Sequence, residues 1–128
     1  MVQPDDVTRI LFLDDNPERA KVIRRRHPFA VCVTTATAAI AALSEGAWLT
    51  VYLDHDLGGE EHADSARADT GMEVVRWVVA NRPAVRWFIV HSLNASARGA
   101  MVNELQAAGY RAEAVPFSVL RGGAVASS

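Results

Sequence analysis

The stretch Arg9-Ile-Leu-Phe-Leu-Asp-Asp-Asn-Pro17 sets a pattern that the rest of the chain repeats. Its short apolar run, closed abruptly by Asp14-Asp15, suits a strand buried on both faces better than an alternating surface strand. Asn16-Pro17 then reads as a helix start, with Asn as the N-cap and Pro at the first helical position. Arg24, Arg25 and Arg26 fall in the last turn, where cations complement the helix dipole. The triplet therefore reads as a solvated helix end more readily than as a phosphate-binding patch.

Working outward, the same strand and helix unit recurs. Phe29 to Thr34 reads as a second strand, and Thr37 as the cap of an alanine-rich helix that stops at Gly46. Trp48 to Leu53 is a third strand, again ending in an acid. The polar stretch from Asp54 to Thr70 is too long for a simple connection and marks a functional or mobile loop. Gly71 to Asn81 is helical by pattern, Val85 to Val90 a fourth strand, 95–108 a helix ended by Gly109, and Tyr110 to Val115 the last strand. Such alternation demands right-handed crossovers and one doubly wound parallel sheet. Thirteen residues follow Val115 in the 128-residue chain, and with Pro116, Gly122 and Gly123 among them the last helix is expected to be absent or curtailed. One sheet face would then stay partly open, and a homodimer is expected to cover it. The tail from Gly122 reads as frayed.

Composition narrows the function classes. The chain is 50% hydrophobic and long enough for one core, and 13 Lys+Arg against 15 Asp+Glu leave a formal charge of -2. No global basic field draws it to nucleic acid, so any polyanion contact is local. A single cysteine, Cys32, and Asp5-Asp6 near the start point to the cytoplasm. The longest uncharged run, Pro28 to Ser44, is too short and too threonine-rich to span a bilayer. Cys32 reads as a small buried hydrophobe, Trp77 and Trp87 as core, and Trp48 as partly exposed. Gly58-Gly59 lacks the Gly-Lys-Ser/Thr or GxGxxG context of a nucleotide-binding loop.

The polar residues gather at the carboxyl ends of the strands, where open parallel sheets bind ligands. Asp14-Asp15 ends the first strand, Asp54-His55-Asp56 the third and His91-Ser92 the fourth, with Asn94 close behind. Singly, these are a cap, a loop residue and another cap. Together, the crowded carboxylates call for a compensating charge. Asp14, Asp15 and Asp54 offer oxygen ligands to a hard divalent cation, Mg²⁺ or Mn²⁺; the rival is an acidic pocket sharing one proton. His55 and His91 can serve as base and acid, Asp56 can orient His55, and Ser92 and Asn94 can donate to phosphoryl oxygens. Arg98 reads as a solvated residue within reach of a phosphate, His27 as surface, and His62 as surface with a reserve role as ligand.

With these residues laid out, the chain resembles a response-regulator receiver domain over nearly its whole length. Asp14-Asp15 matches the receivers' metal-binding acidic pair, Asp54 the phospho-acceptor, Gly71 the glycine opening the next helix and Ser92 the hydroxyl residue after the fourth strand. Where receivers carry a Lys after the fifth strand, this chain has Val115-Pro116-Phe117, and no Lys follows Lys21. A closer likeness is to cyclic-phosphate processing receiver-like domains, through Leu11-Phe-Leu-Asp-Asp-Asn-Pro-Glu-Arg19, Asp54-His-Asp-Leu-Gly-Gly59, Thr70-Gly71, His91-Ser-Leu-Asn94, Gly99-Ala-Met101 and Ala108-Gly-Tyr110. The resemblance implies a flavodoxin-like or receiver-like five-stranded sheet of order 2-1-3-4-5 over residues 1–121, followed by a tail over 122–128. It also implies a metal-assisted phosphoesterase of cyclic phosphate ends, such as an RNA 2′,3′-cyclic phosphate in repair. The alternative is a non-catalytic pseudo-receiver that binds a partner protein or ligand.

Overall fold

The computed structural model describes residues 9–57 and 63–122. Gly58, Gly59, His62 and the tail beyond 122 lie outside the described residues. Five parallel strands, β1 (Ile10–Leu13), β2 (Val31–Val33), β3 (Trp48–Leu53), β4 (Val85–Val90) and β5 (Ala112–Ala114), form one sheet of order β2-β1-β3-β4-β5. The connecting helices are α1 (Pro17–Arg26), α2 (Ala36–Leu43), α3 (Gly71–Asn81) and α4 (Ala95–Ala107), and α5 (Phe117–Gly122) follows the last strand. This is the flavodoxin and receiver topology. No helix among the described residues is long and apolar enough to cross a membrane.

Strand alternation divides the core into two layers. Leu11, Leu13, Val51, Leu53, Phe88 and Val90 pack with α2, α3 and α4, through residues such as Leu43, Val75 and Leu105. Phe12, Tyr52 and Ile89 face the other way, onto Ile23 of α1 and onto Phe117 and Leu120. The last helix is curtailed to six residues, yet two of them suffice to bury the middle of the face that the sequence left open.

Local details follow the capping chemistry. Asn16 caps α1, its Oδ1 accepting from the N–H groups of Glu18 at 2.9 Å and Arg19 at 3.3 Å. Helix α2 begins two residues earlier than Thr37 suggests, because Thr35 in extended conformation accepts from the Ala38 N–H at 3.1 Å. Trp48 is buried under the Arg9 guanidinium, 3.9 Å from the ring centroid, and is not partly exposed. Cys32 and Trp87 are half-buried, Cys32 because its strand is at the sheet edge. Asn16→Ala removes a two-bond cap and is expected to cost about 1 kcal/mol, read as a lower urea midpoint at unchanged m-value.

Candidate functional site

The strand register builds the site. Leu13 pairs with Leu53, and Leu53 with Val90. The ladder runs one step further, the Asp54 N–H donating to the Leu13 carbonyl at 3.1 Å and the His91 N–H to that of Leu53 at 3.0 Å. Asp14, Asp54 and His91 therefore stand level on three adjacent strands. Each is two residues beyond a member of the Phe12, Tyr52 and Ile89 layer, so all three share that face. Their ligand atoms lie within 4.8 Å of one another, and all three residues are buried. Val115 continues the row, its N–H bonded to the Val90 carbonyl at 3.0 Å.

One Asp14 oxygen, Oδ2, accepts from His91 Nε2 at 3.0 Å and from the Arg19 guanidinium at 3.0 Å; Oδ1 accepts from the Asn16 N–H at 2.8 Å. Arg19 also reaches Asp54, at 3.8 Å. The Phe12 ring is stacked on His91 with centroids 5.0 Å apart, and Phe117 lies 5.9 Å from His91.

A second network occupies the opposite parity, one residue further along each strand. His55 is fully buried, with Nδ1 2.7 Å from Asp56 Oδ1 and Nε2 2.9 Å from Ser65 Oγ. Asp56 Oδ1 also accepts from the Ala63 N–H at 2.9 Å and from Asn94 Nδ2 at 3.4 Å. Asn94 caps α4 through the Ala97 N–H, and Ser92 Oγ accepts from the Asn94 N–H at 3.1 Å. Arg98 is tied to the Ser92 carbonyl at 2.9 Å. The two histidines are thus assigned to different carboxylates, His91 to Asp14 and His55 to Asp56. Asp15 is half-buried and falls outside the Asp14, Asp54 and His91 group.

The model of the cyclic-phosphate processing receiver domain matches residues 9–107. The chain belongs to this family. Solved receiver structures share its fold. A response regulator from Colwellia psychrerythraea superposes with a TM-score of 0.65 at 13% identity, covering 94% of this chain and 96% of that one. The response regulator TrrA from Thermotoga maritima, solved in complex with Mg(2+)-BeF, gives 0.59 at 18% identity over 93% and 97%. One from Burkholderia pseudomallei, with a phosphorylated aspartic acid, calcium ion and citrate, gives 0.57 at 20% over 94% and 70%. No curated protein matches the chain.

In this cyclic-phosphate processing receiver domain the two central carboxylates titrate apart. Burial pushes Asp54 up to about 6; the negative charge of Asp14 pushes the same way, while His91, the His55 N–H and Arg19 pull it back. Burial also raises Asp14, but the hydrogen bond and charge of His91, with help from the Asn16 N–H and Arg19, outweigh it and hold the carboxyl below its ordinary value. An ionised Asp14 only accepts, so His91 Nε2 carries the proton between them. Nδ1 of the same ring is buried with no hydrogen-bond partner among the described residues.

The hydrogen bond on the other nitrogen decides how a cation would fit. Nε2 gives its hydrogen to Asp14 and has no lone pair to offer a cation while that bond stands. The arrangement instead suits a hard cation held by the Asp14 and Asp54 carboxylates, with His91 orienting Asp14 from behind. Sequence reasoning missed Arg19 as a compensating charge, although it lies in the same motif on the first turn of α1. It also missed Ser65, which stands in an irregular loop and carries no periodic signal.

Proposed function

We propose that this domain is a metal-assisted phosphoesterase of cyclic phosphate ends, of which an RNA 2′,3′-cyclic phosphate is the leading candidate. The observation that carries this reading is the buried Asp14, Asp54 and His91 group with the Arg19 guanidinium 3.0 Å from Asp14 and 3.8 Å from Asp54. A divalent cation bound to the two carboxylates would neutralise them and polarise a phosphoryl oxygen. Arg19, partly exposed and reaching both carboxylates, pairs with a phosphate oxygen in the role for which receivers use the Lys absent at Val115. His91 fixes Asp14. The formal charge of -2 favours a substrate held by its end and not along a groove.

A panel of 2′,3′-cyclic phosphate ends and linear phosphodiesters, assayed with Mg²⁺, Mn²⁺ or EDTA, tests the proposal. Turnover that EDTA abolishes is expected, with kcat/KM lowered roughly tenfold to a hundredfold in Arg19→Ala. One observation favours a second reading: both His55 nitrogens are engaged, so the two histidines do not meet over one ligand. No turnover on any substrate, with Mn²⁺ still bound, would make the domain a binding module.

A further inference from the structure

The network around His55 has the order of a nucleophile relay. We propose that Ser65 is an activated nucleophile, with His55 as its general base and Asp56 as the positioning carboxylate, acting on small esters of phosphorus acids. This site shares no side chain with the Asp14, Asp54 and His91 group and stands independently of the cation-assisted reading.

Proton placement follows from the partners. Among the described residues, Asp56 Oδ1 faces His55 Nδ1 at 2.7 Å, the Ala63 N–H at 2.9 Å and Asn94 Nδ2 at 3.4 Å, and accepts from each. Nδ1 must therefore carry the hydrogen, and Nε2 is left as a bare lone pair. The Ser65 hydroxyl, 2.9 Å away, is then the donor to Nε2. Carboxylate, imidazole and hydroxyl thus stand in the sequence that draws a proton off a nucleophilic oxygen. A hydrogen bond that only clips the loop needs no carboxylate on the far ring nitrogen. The ring is buried and its backbone is fixed at both ends, the His55 N–H on Asp54 Oδ1 at 2.8 Å and its carbonyl under the Gly71 N–H at 2.9 Å. Ser65 itself is half-buried and so reachable, and Arg76, paired with Glu73 at 2.9 Å, donates to its carbonyl at 2.6 Å and ties the residue to α3.

In the reaction, Ser65 Oγ forms a bond to phosphorus as its proton passes to His55 Nε2, and the bond to the leaving alkoxide breaks as that proton passes on to it. Water then attacks the phosphoryl-serine, gives a proton to His55, and Ser65 leaves with that proton, restoring the hydroxyl.

An alkyl fluorophosphonate reads this out directly, since displacement of fluoride stops at the covalent adduct. Intact mass and peptide mapping are expected to give one adduct per chain, at Ser65, unaffected by EDTA and absent in Ser65→Ala. Asp56→Asn is expected to slow labelling by roughly a hundredfold or more. Should that variant fail to melt cooperatively, Ser65→Cys serves instead: its thiol is expected to react with iodoacetamide at least about tenfold faster than a cysteine peptide. Folded wild type that stays unlabelled, an adduct elsewhere than Ser65, labelling that Asp56→Asn does not slow, or a Ser65→Cys thiol no faster than the peptide would each overturn the proposal.

Discussion

Gly71→Ala is expected to cost about 3 kcal/mol or more, and to lower the melting temperature by roughly 10 °C. A Cβ at position 71 would lie 1.9 Å from the Asp54 carbonyl oxygen and 3.0 Å from His55 Cα. Both neighbours are backbone, so no side chain can swing aside. The two segments are also tied by the hydrogen bond from the Gly71 N–H to the His55 carbonyl. Relief therefore requires moving either α3 or the end of β3, the segment that carries Asp54 and His55. Cation binding should fall together with stability. Gly99, on the exposed side of α4, is the internal control: an added Cβ meets nothing within 4 Å, and Gly99→Ala should stabilise by about 0.5–1 kcal/mol through helix propensity. Thermal melts and Mn²⁺ titrations of the two variants check this. A Gly71→Ala protein that melts like wild type would mean that the helix and strand are not in the contact described.

Asp54→Asn is expected to do the reverse, strengthening the fold while removing the site. Burial raises the Asp54 carboxyl from its ordinary 3.8 to about 6, so between those values the folded chain binds more protons than the unfolded one. The sign follows: stability contributed by the protonated form is present below about pH 4 and is lost as pH rises through about 6. Near neutrality the ionised carboxylate costs about 3 kcal/mol. The Asn variant, neutral throughout, should exceed wild type by up to that amount at about pH 8 and match it at about pH 4. It should bind Mg²⁺ or Mn²⁺ at least about a hundredfold more weakly, having lost one of two carboxylates. Saturating cation should narrow the gap by stabilising wild type alone. Urea midpoints at the two pH values, with and without Mn²⁺, read all of this, and equal midpoints at the higher pH would contradict the description of Asp54.

Much of the fold was legible because apolar runs, caps and turn residues agreed. Pro17 to Arg26 and Gly71 to Asn81 form helices over the spans their capping and periodicity suggest. The edge strands were read too long: β2 covers Val31–Val33 and not Phe29 to Thr34, and β5 covers Ala112–Ala114 and not Tyr110 to Val115. Each has a neighbour on one side only, and a strand without a second partner ends sooner than its residues' propensity implies. Phe29, counted as strand, is 96% exposed.

The site was legible as an edge of the sheet but not as two faces. Alternation carried one residue past Leu13, Leu53 and Val90 separates Asp14, Asp54 and His91 from Asp15, His55 and Ser92, and the hydrogen bonds between side chains obey that division. The parity was available from the strand ends alone. What it could not supply was the partner of each ring: Ser65 meets His55 from ten positions further along the sequence, and Arg19 reaches Asp14 by folding back over the first turn of α1.

The sheet order has a bearing on how such a protein can change. The Asp14, Asp54 and His91 group and the network around His55 rise from the three inner strands and the segments that follow them, while β2 and β5, three residues each, lie at the margins. Substitutions confined to those outer strands are expected to leave that geometry in place. What the site needs of the sequence is then a few short, separated words, after β1, β3 and β4.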